Sequence, residues 1–109
     1  MKKAIKKWRH AMKTTMNREG DKLTVKVEGR LDTLTAPEFD DELKPALEGV
    51  KELLLDLEGL EYISSAGLRV LLGTCQIMEE QGKMYVTNVD DDVMDIFGLT
   101  GFDSILEFV

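Results

Sequence analysis

Two adjacent serines, Ser64 and Ser65, stand where an apolar run gives way to a helical pattern, within Asp56-Leu57-Glu58-Gly59-Leu60-Glu61-Tyr62-Ile63-Ser64-Ser65-Ala66-Gly67-Leu68-Arg69. Three chemistries are open to them. A serine at a helix start can cap it, its hydroxyl accepting a hydrogen bond from a first-turn N–H that has no partner within the helix, and one of the two needs no other explanation. A serine there can also accept a phosphoryl group, because the helix N-terminus has about half a positive charge and tolerates an added dianion. The third option, a nucleophilic enzyme, lacks its parts. Tyr62 and Ile63 occupy the place of the first glycine in a Gly-x-Ser-x-Gly elbow. The single histidine, His10, lies in a basic N-terminal segment, and without a base the hydroxyl is not activated. No enzyme activity is expected.

Other chemistry-bearing residues are weaker candidates. Asp32, in Gly29-Arg30-Leu31-Asp32-Thr33-Leu34-Thr35-Ala36, is equally a turn-making aspartate before a helix or part of a site beside the serines. Asp90-Asp91-Asp92 complements the dipole of a helix that it opens, and no second acidic motif completes a coordination shell. No metal is expected. Cys75 falls on an apolar stripe and reads as a buried small hydrophobe. A Gly-rich phosphate loop is absent, so no nucleotide or other cofactor is expected.

The elements that must position these residues follow from periodicity. Leu23 to Glu28 alternates apolar and polar and predicts a strand, with Met12 to Arg18 as its hairpin partner across Glu19-Gly20-Asp21, ended by Gly29. Thr35-Ala36-Pro37-Glu38 has the form of a capping box, Thr35 capping and Glu38 reaching back. The helix behind it runs to about Glu48 with Ala36, Phe39, Leu43 and Leu47 inward, and Pro45 should bend or break it. Lys51 to Leu57, with three consecutive leucines, suggests a central strand buried on both faces. Ala66 to Gln81 carries Leu68, Leu71, Leu72, Cys75 and Met78 on one helical face, closed by Gly82. Lys83 to Asn88 is a strand, Asp90 caps a short helix with Val93, Ile96 and Phe97 inward and Gly98 at its end, and Ser104 to Val109 gives a last strand. This is an α/β pattern on the α+β border: a mixed sheet of four or five strands packed with three or four helices.

Composition limits what such a domain can meet. With 109 residues there is room for one domain. One cysteine excludes an internal disulfide and suits a reducing compartment, and no apolar run approaches the ~20 residues that cross a bilayer, so a soluble protein is expected. The net charge is −7, yet residues 1 to 13 hold six cations (Lys2, Lys3, Lys6, Lys7, Arg9, Lys13) and no acid, leaving −13 on the rest. Such a body repels phosphate backbones, so direct nucleic-acid binding is not expected. Residues 1–11 are read as a basic extension, disordered or left by cloning. The alternative is a basic amphipathic helix, with Ile5, Trp8 and Met12 on one side, docking on an acidic surface or anionic lipid.

Taken together, Gly29 to Ala36 and, about thirty residues on, Tyr62-Ile63-Ser64-Ser65-Ala66-Gly67-Leu68-Arg69-Val70-Leu71 resemble the anti-sigma factor antagonists of the STAS domain family. The likeness spans residues 12–109. It implies a small bacterial cytoplasmic protein that, unphosphorylated, binds an anti-sigma factor that is also a serine kinase and so frees a sigma factor. Phosphorylation by that kinase breaks the complex and a serine phosphatase restores it; no stable membrane association is implied. By position the phosphoacceptor is Ser65. Where many members have Asp before this serine, the chain has Ser64. A phosphate that releases a partner must lie in the interface, so Asp32, Ser64, Ser65, Gly67, Arg69 and Gly73 are the expected partner contacts. A STAS scaffold or lipid-transport accessory subunit, binding constitutively and never phosphorylated, is the alternative reading.

Overall fold

A computed structural model describes residues 12–109; the basic extension, residues 1–11, lies outside the described residues. The hairpin forms from β1 (Met12–Glu19) and β2 (Lys22–Leu31), joined through Gly20 at φ +65°. Helix α1 (Ala36–Ala46) leads to β3 (Glu52–Ile63), α2 (Ser65–Gln81) to β4 (Lys83–Thr87), and α3 (Asp91–Thr100) to a 3₁₀ turn at Phe102–Ser104. The sheet order is β1-β2-β3-β4, with the β1–β2 pair antiparallel and both β2–β3 and β3–β4 parallel. The architecture is therefore α/β, a mixed four-stranded sheet with three helices among the described residues.

Alternation along the strands places the core. Leu23, Val25 and Val27 of β2, Leu53, Leu55 and Leu57 of β3 and Val86 of β4 are buried and form one cluster with Phe39, Leu43, Leu71, Met78, Val93 and Phe97 from the helices. Leu54 points the other way. It lies half-buried between Thr24 and Tyr85, so β3 is central as expected but is not buried on both faces. The triple leucine conceals an alternating strand whose second face is lined by Thr24, Lys26 and Asp56.

Several expectations need correction. β2 does not stop at Gly29: the pairing shifts register there and the strand continues to Leu31, with Gly29 at φ +96° accommodating the irregularity. The capping box at Thr35 does not form, and α1 runs through Pro45 to end at Ala46, where the Leu47 N–H turns to the Lys44 carbonyl three residues back at 3.2 Å. In α2 the inward line is Gly67, Leu71, Thr74 and Met78, flanked by Leu68 and Val70. Leu72 is therefore turned outward, 37% exposed, and Cys75 is only half-buried. Thr74 can be fully buried because its hydroxyl donates to the Val70 carbonyl at 2.7 Å. α3 passes through Gly98 and ends at Gly101, φ +84°. The last strand is reduced to a single bridge, Phe108 to Val86, because the chain has already turned through the 3₁₀ segment.

Candidate functional site

The parallel strands β2 and β3 end side by side, Leu31 paired with Ile63. Both chains then turn out of the sheet at its carboxyl-end rim, where ligands of parallel sheets commonly bind. The Ser64 N–H donates to the Leu31 carbonyl at 2.9 Å, joining the start of α2 to the loop that carries Asp32.

The two serines are not equivalent. Ser64 has extended backbone, and its hydroxyl accepts a long 3.4 Å bond from the Gly67 N–H; it is the N-cap. Ser65 is the first helical residue and is exposed, and its hydroxyl has no partner among the described residues. Gly67 is buried rather than presented to solvent. A Cβ on it would lie 2.8 Å from both Ile63 Cγ1 and Leu31 Cγ and 3.0 Å from the Leu31 carbonyl oxygen. Its part in the site is thus to let the helix start approach the strand ends.

Asp32 serves its own loop first. Its Oδ1 accepts the N–H groups of Leu34 at 3.0 Å and Thr35 at 3.1 Å and lies 3.2 Å from the Thr35 hydroxyl, while its main-chain carbonyl accepts from Ala36 N–H. Thr35 Oγ1 accepts the Asp32 N–H and donates to the Arg30 carbonyl, which is why it does not cap α1 with its side chain. Partial desolvation pushes the Asp32 carboxyl up. The Thr35 and Leu34 N–H groups, the Thr35 hydroxyl and the Arg30 charge outweigh it, holding the pKa below its ordinary value. The carboxylate is therefore ionised at the rim.

Arg30 and Tyr62 complete the rim, and neither was singled out from sequence. They pair across β2 and β3. The Arg30 guanidinium lies 4.5 Å over the Tyr62 ring, with its Nε 3.9 Å from Asp32 Oδ2. Leu34, at the tip of the Asp32 loop, is 81% exposed. Along α2 the exposed line runs Ser65, Arg69, Leu72 and Gln76, one turn apart. Gly73 lies half-buried off this line, where a Cβ would stand 3.4 Å from Lys44 Nζ of α1. The signal for Arg30 and Tyr62 was their equal distance from the strand ends, legible only once register is known.

Cys75 and the acidic triplet stand apart. Cys75 Sγ lies 3.6 Å from Met84 Sδ, and burial with the neighbouring Glu79 charge pushes its thiol up, away from the reactive thiolate. Asp90 caps α3, its Oδ1 accepting the Val93 N–H at 2.9 Å. No helix among the described residues is long and apolar enough to cross a membrane.

This fold has known counterparts. The anti-sigma-B factor antagonist of Staphylococcus aureus (strain NCTC 8325 / PS 47) is 32% identical over 84 residues, 75% of this chain and 78% of the relative. An anti-sigma factor antagonist from Mycobacterium paratuberculosis superposes with a TM-score of 0.80 at 22% identity, over 89% of this chain and 84% of the other. The Bacillus cell fate determinant SpoIIAA in its phosphorylated form gives 0.70 at 16% identity, over 89% and 91%. The STAS domain itself matches residues 13–109, from the second residue of β1 to the last of the sequence, and the chain belongs to the STAS domain family.

Proposed function

We propose that this chain is an anti-sigma factor antagonist whose binding is switched off by phosphorylation at Ser65. In this reading the unphosphorylated protein binds, in the cytoplasm, an anti-sigma factor that is also a serine kinase, and a serine phosphatase resets it; the chain is a binding module and not an enzyme. The observation that carries it is the division of labour between the serines. Ser64 is committed to the cap, and Ser65 offers an exposed, unpartnered hydroxyl at the rim. The antagonist name of the Staphylococcus aureus relative and the phosphorylated form of SpoIIAA support the same reading.

The partner surface comprises Ser65, Arg69 and Leu72 on α2 with Leu34, Asp32 and Tyr62 on the strand-end side, Ser64 and Gly67 acting from beneath. A phosphate on Ser65 adds about −1.5 to −2 charges beside an aspartate held ionised. At a helix N-terminus that charge leaves the helix intact. Within a desolvated contact an unpaired charge costs several kcal/mol, and about 1.4 kcal/mol is tenfold in affinity, so release by a factor of about a hundred or more is expected.

The test is incubation with the source organism's anti-sigma kinases and ATP, followed by intact mass, peptide mapping, binding and circular dichroism. One phosphate on Ser65, an unchanged spectrum and lost binding are expected, with Ser65→Ala binding but not switchable. Phosphate mapped to Ser64, or phosphoprotein that binds as well as the parent, would refute the switch. The second result would favour constitutive scaffolding.

A further inference from the structure

We infer that the sheet face turned away from the helices is self-complementary and docks a second copy of this chain, about a two-fold axis running along the strands between β2 and β3. Helix residues Phe39, Leu71, Val93 and Phe97 gather with Leu53 and Leu55 on one side of the sheet. On the other side strand register arranges the outward side chains in rows across β1, β2, β3 and β4, and none in the three rows that cross all four strands is buried. The first row reads Glu19, Lys22, Glu52, Lys83, alternating in sign. The middle row is Asn17, Thr24, Leu54, Tyr85, and the third is Thr15, Lys26, Asp56, Thr87.

Charge selects both the occupant and its direction. An axis along the strands sets β1 against β4 and β2 against β3 of the second copy. Every acid in the first row then meets a base, Glu19 on Lys83 and Lys22 on Glu52, and in the third row Lys26 meets Asp56. Between them Leu54 lies on Thr24, and Tyr85 on Asn17. An axis across the strands would instead set Lys22 on Lys26 and Glu52 on Asp56, like on like. Aligned sheets cross at about 30°, and the β2 and β3 pairs lie beside the axis, where the offset is least. The chain as a whole has a net charge of −7, so two copies repel over most of their surface, yet these rows balance three acids with three bases. Lys26 reaches Glu58 at 3.7 Å, whereas Glu19, Lys22, Glu52 and Lys83 form no ion pair among the described residues. Four strands and three rows cover about 14 Å by about 13 Å. Two such patches bury less than the ~1,200 Å² of a standard interface, so the pair is weak and sensitive to salt. Because α2 packs on the opposite side of the sheet, pairing leaves both Ser65 hydroxyls exposed.

Sedimentation equilibrium of the full chain at low salt, over a concentration series, should show a monomer–dimer equilibrium that weakens as salt is added. No anti-sigma factor is present, so the readout stands apart from the proposed switch. Lys22→Glu and Glu52→Lys should each weaken association by about tenfold or more, since each sets like charges together at two symmetric contacts. Glu52→Lys also lowers the net charge, so general repulsion alone would have it associate more strongly than the parent. An equimolar mixture of the two single variants restores opposite charges at both contacts and should associate as the parent does. The double variant in one chain should do the same, which covers a failure of either single variant to fold as judged by circular dichroism. A parent that stays monomeric throughout, or a dimer indifferent to both reversals, would overturn the inference. So would a mixture and a double variant that both stay monomeric, because the loss would then arise elsewhere than at the contact between Lys22 and Glu52.

Discussion

Asp32 ties the rim together through a single oxygen that receives two main-chain N–H groups, so its removal should first be felt in its own loop. Asp32→Ala leaves both N–H groups without that acceptor and is expected to lower stability by about 1 kcal/mol, the scale of a lost helix cap. Asp32→Asn keeps an acceptor and should retain the loop. The pair separates loop order from charge at the partner surface: denaturant unfolding reports the first, partner binding the second. Because the folded pKa is depressed below 3.8, the ionised carboxyl contributes stability that is complete above the unfolded value and is lost as pH falls through the folded one. The stability gap between parent and Asp32→Asn should stay constant from neutral pH to about 5 and close below about 4. From sequence, the turn-making and site roles of Asp32 weighed the same. The geometry shows Asp32 making the turn, its site role stays with the proposal, and the cap expected of Thr35 does not form because the Thr35 hydroxyl is turned back to the Asp32 N–H and the Arg30 carbonyl.

Helix α2 and the connections at its two ends depend on glycines for steric reasons. A Cβ on Gly82 would come 1.9 Å from the Lys51 carbonyl oxygen, main chain that cannot swing aside, so Gly82→Ala should cost about 1–3 kcal/mol or more and lower the thermal midpoint. Gln81 beside it donates to the Leu47 and Val50 carbonyls, fixing the same junction from the side chain. Gly67→Ala should push the helix start off Leu31 and Ile63, and amide exchange at Ser64 should quicken as its bond to Leu31 loosens. Element types along the described chain were legible because period two and period 3.6 are set by which side chains must be buried. Which residues of α2 face inward was less legible. Leu72 and Cys75 fit the apolar stripe, but buried Thr74 hides its hydroxyl by bonding to Val70, rotating the inward line away from them.

Across the whole molecule, one core joins both crossovers to the C-terminal segment. Phe97 is fully buried, with ring centroids 6.4 Å from Phe102 and 6.1 Å from Phe108, so Phe97→Ala should cost about 3–5 kcal/mol. Against a usual total of about 5–15 kcal/mol, urea titration should show a marginally folded protein. The sequence could not reveal that the last residues reach β4 by a single bridge, because Ser104 to Val109 is apolar enough for a strand and the 3₁₀ turn before it leaves no periodic mark. The bond from Ser64 to Leu31 has a further consequence in time. The β1–β2 hairpin closes over a two-residue turn, whereas this bond joins residues separated by α1 and the whole of β3 and is expected to close after them. Loop-closure entropy makes such contacts late. Under the proposed switch, a kinase that recognises the assembled rim would therefore act on chains that have completed folding and would leave Ser65 unmodified while the chain is still condensing.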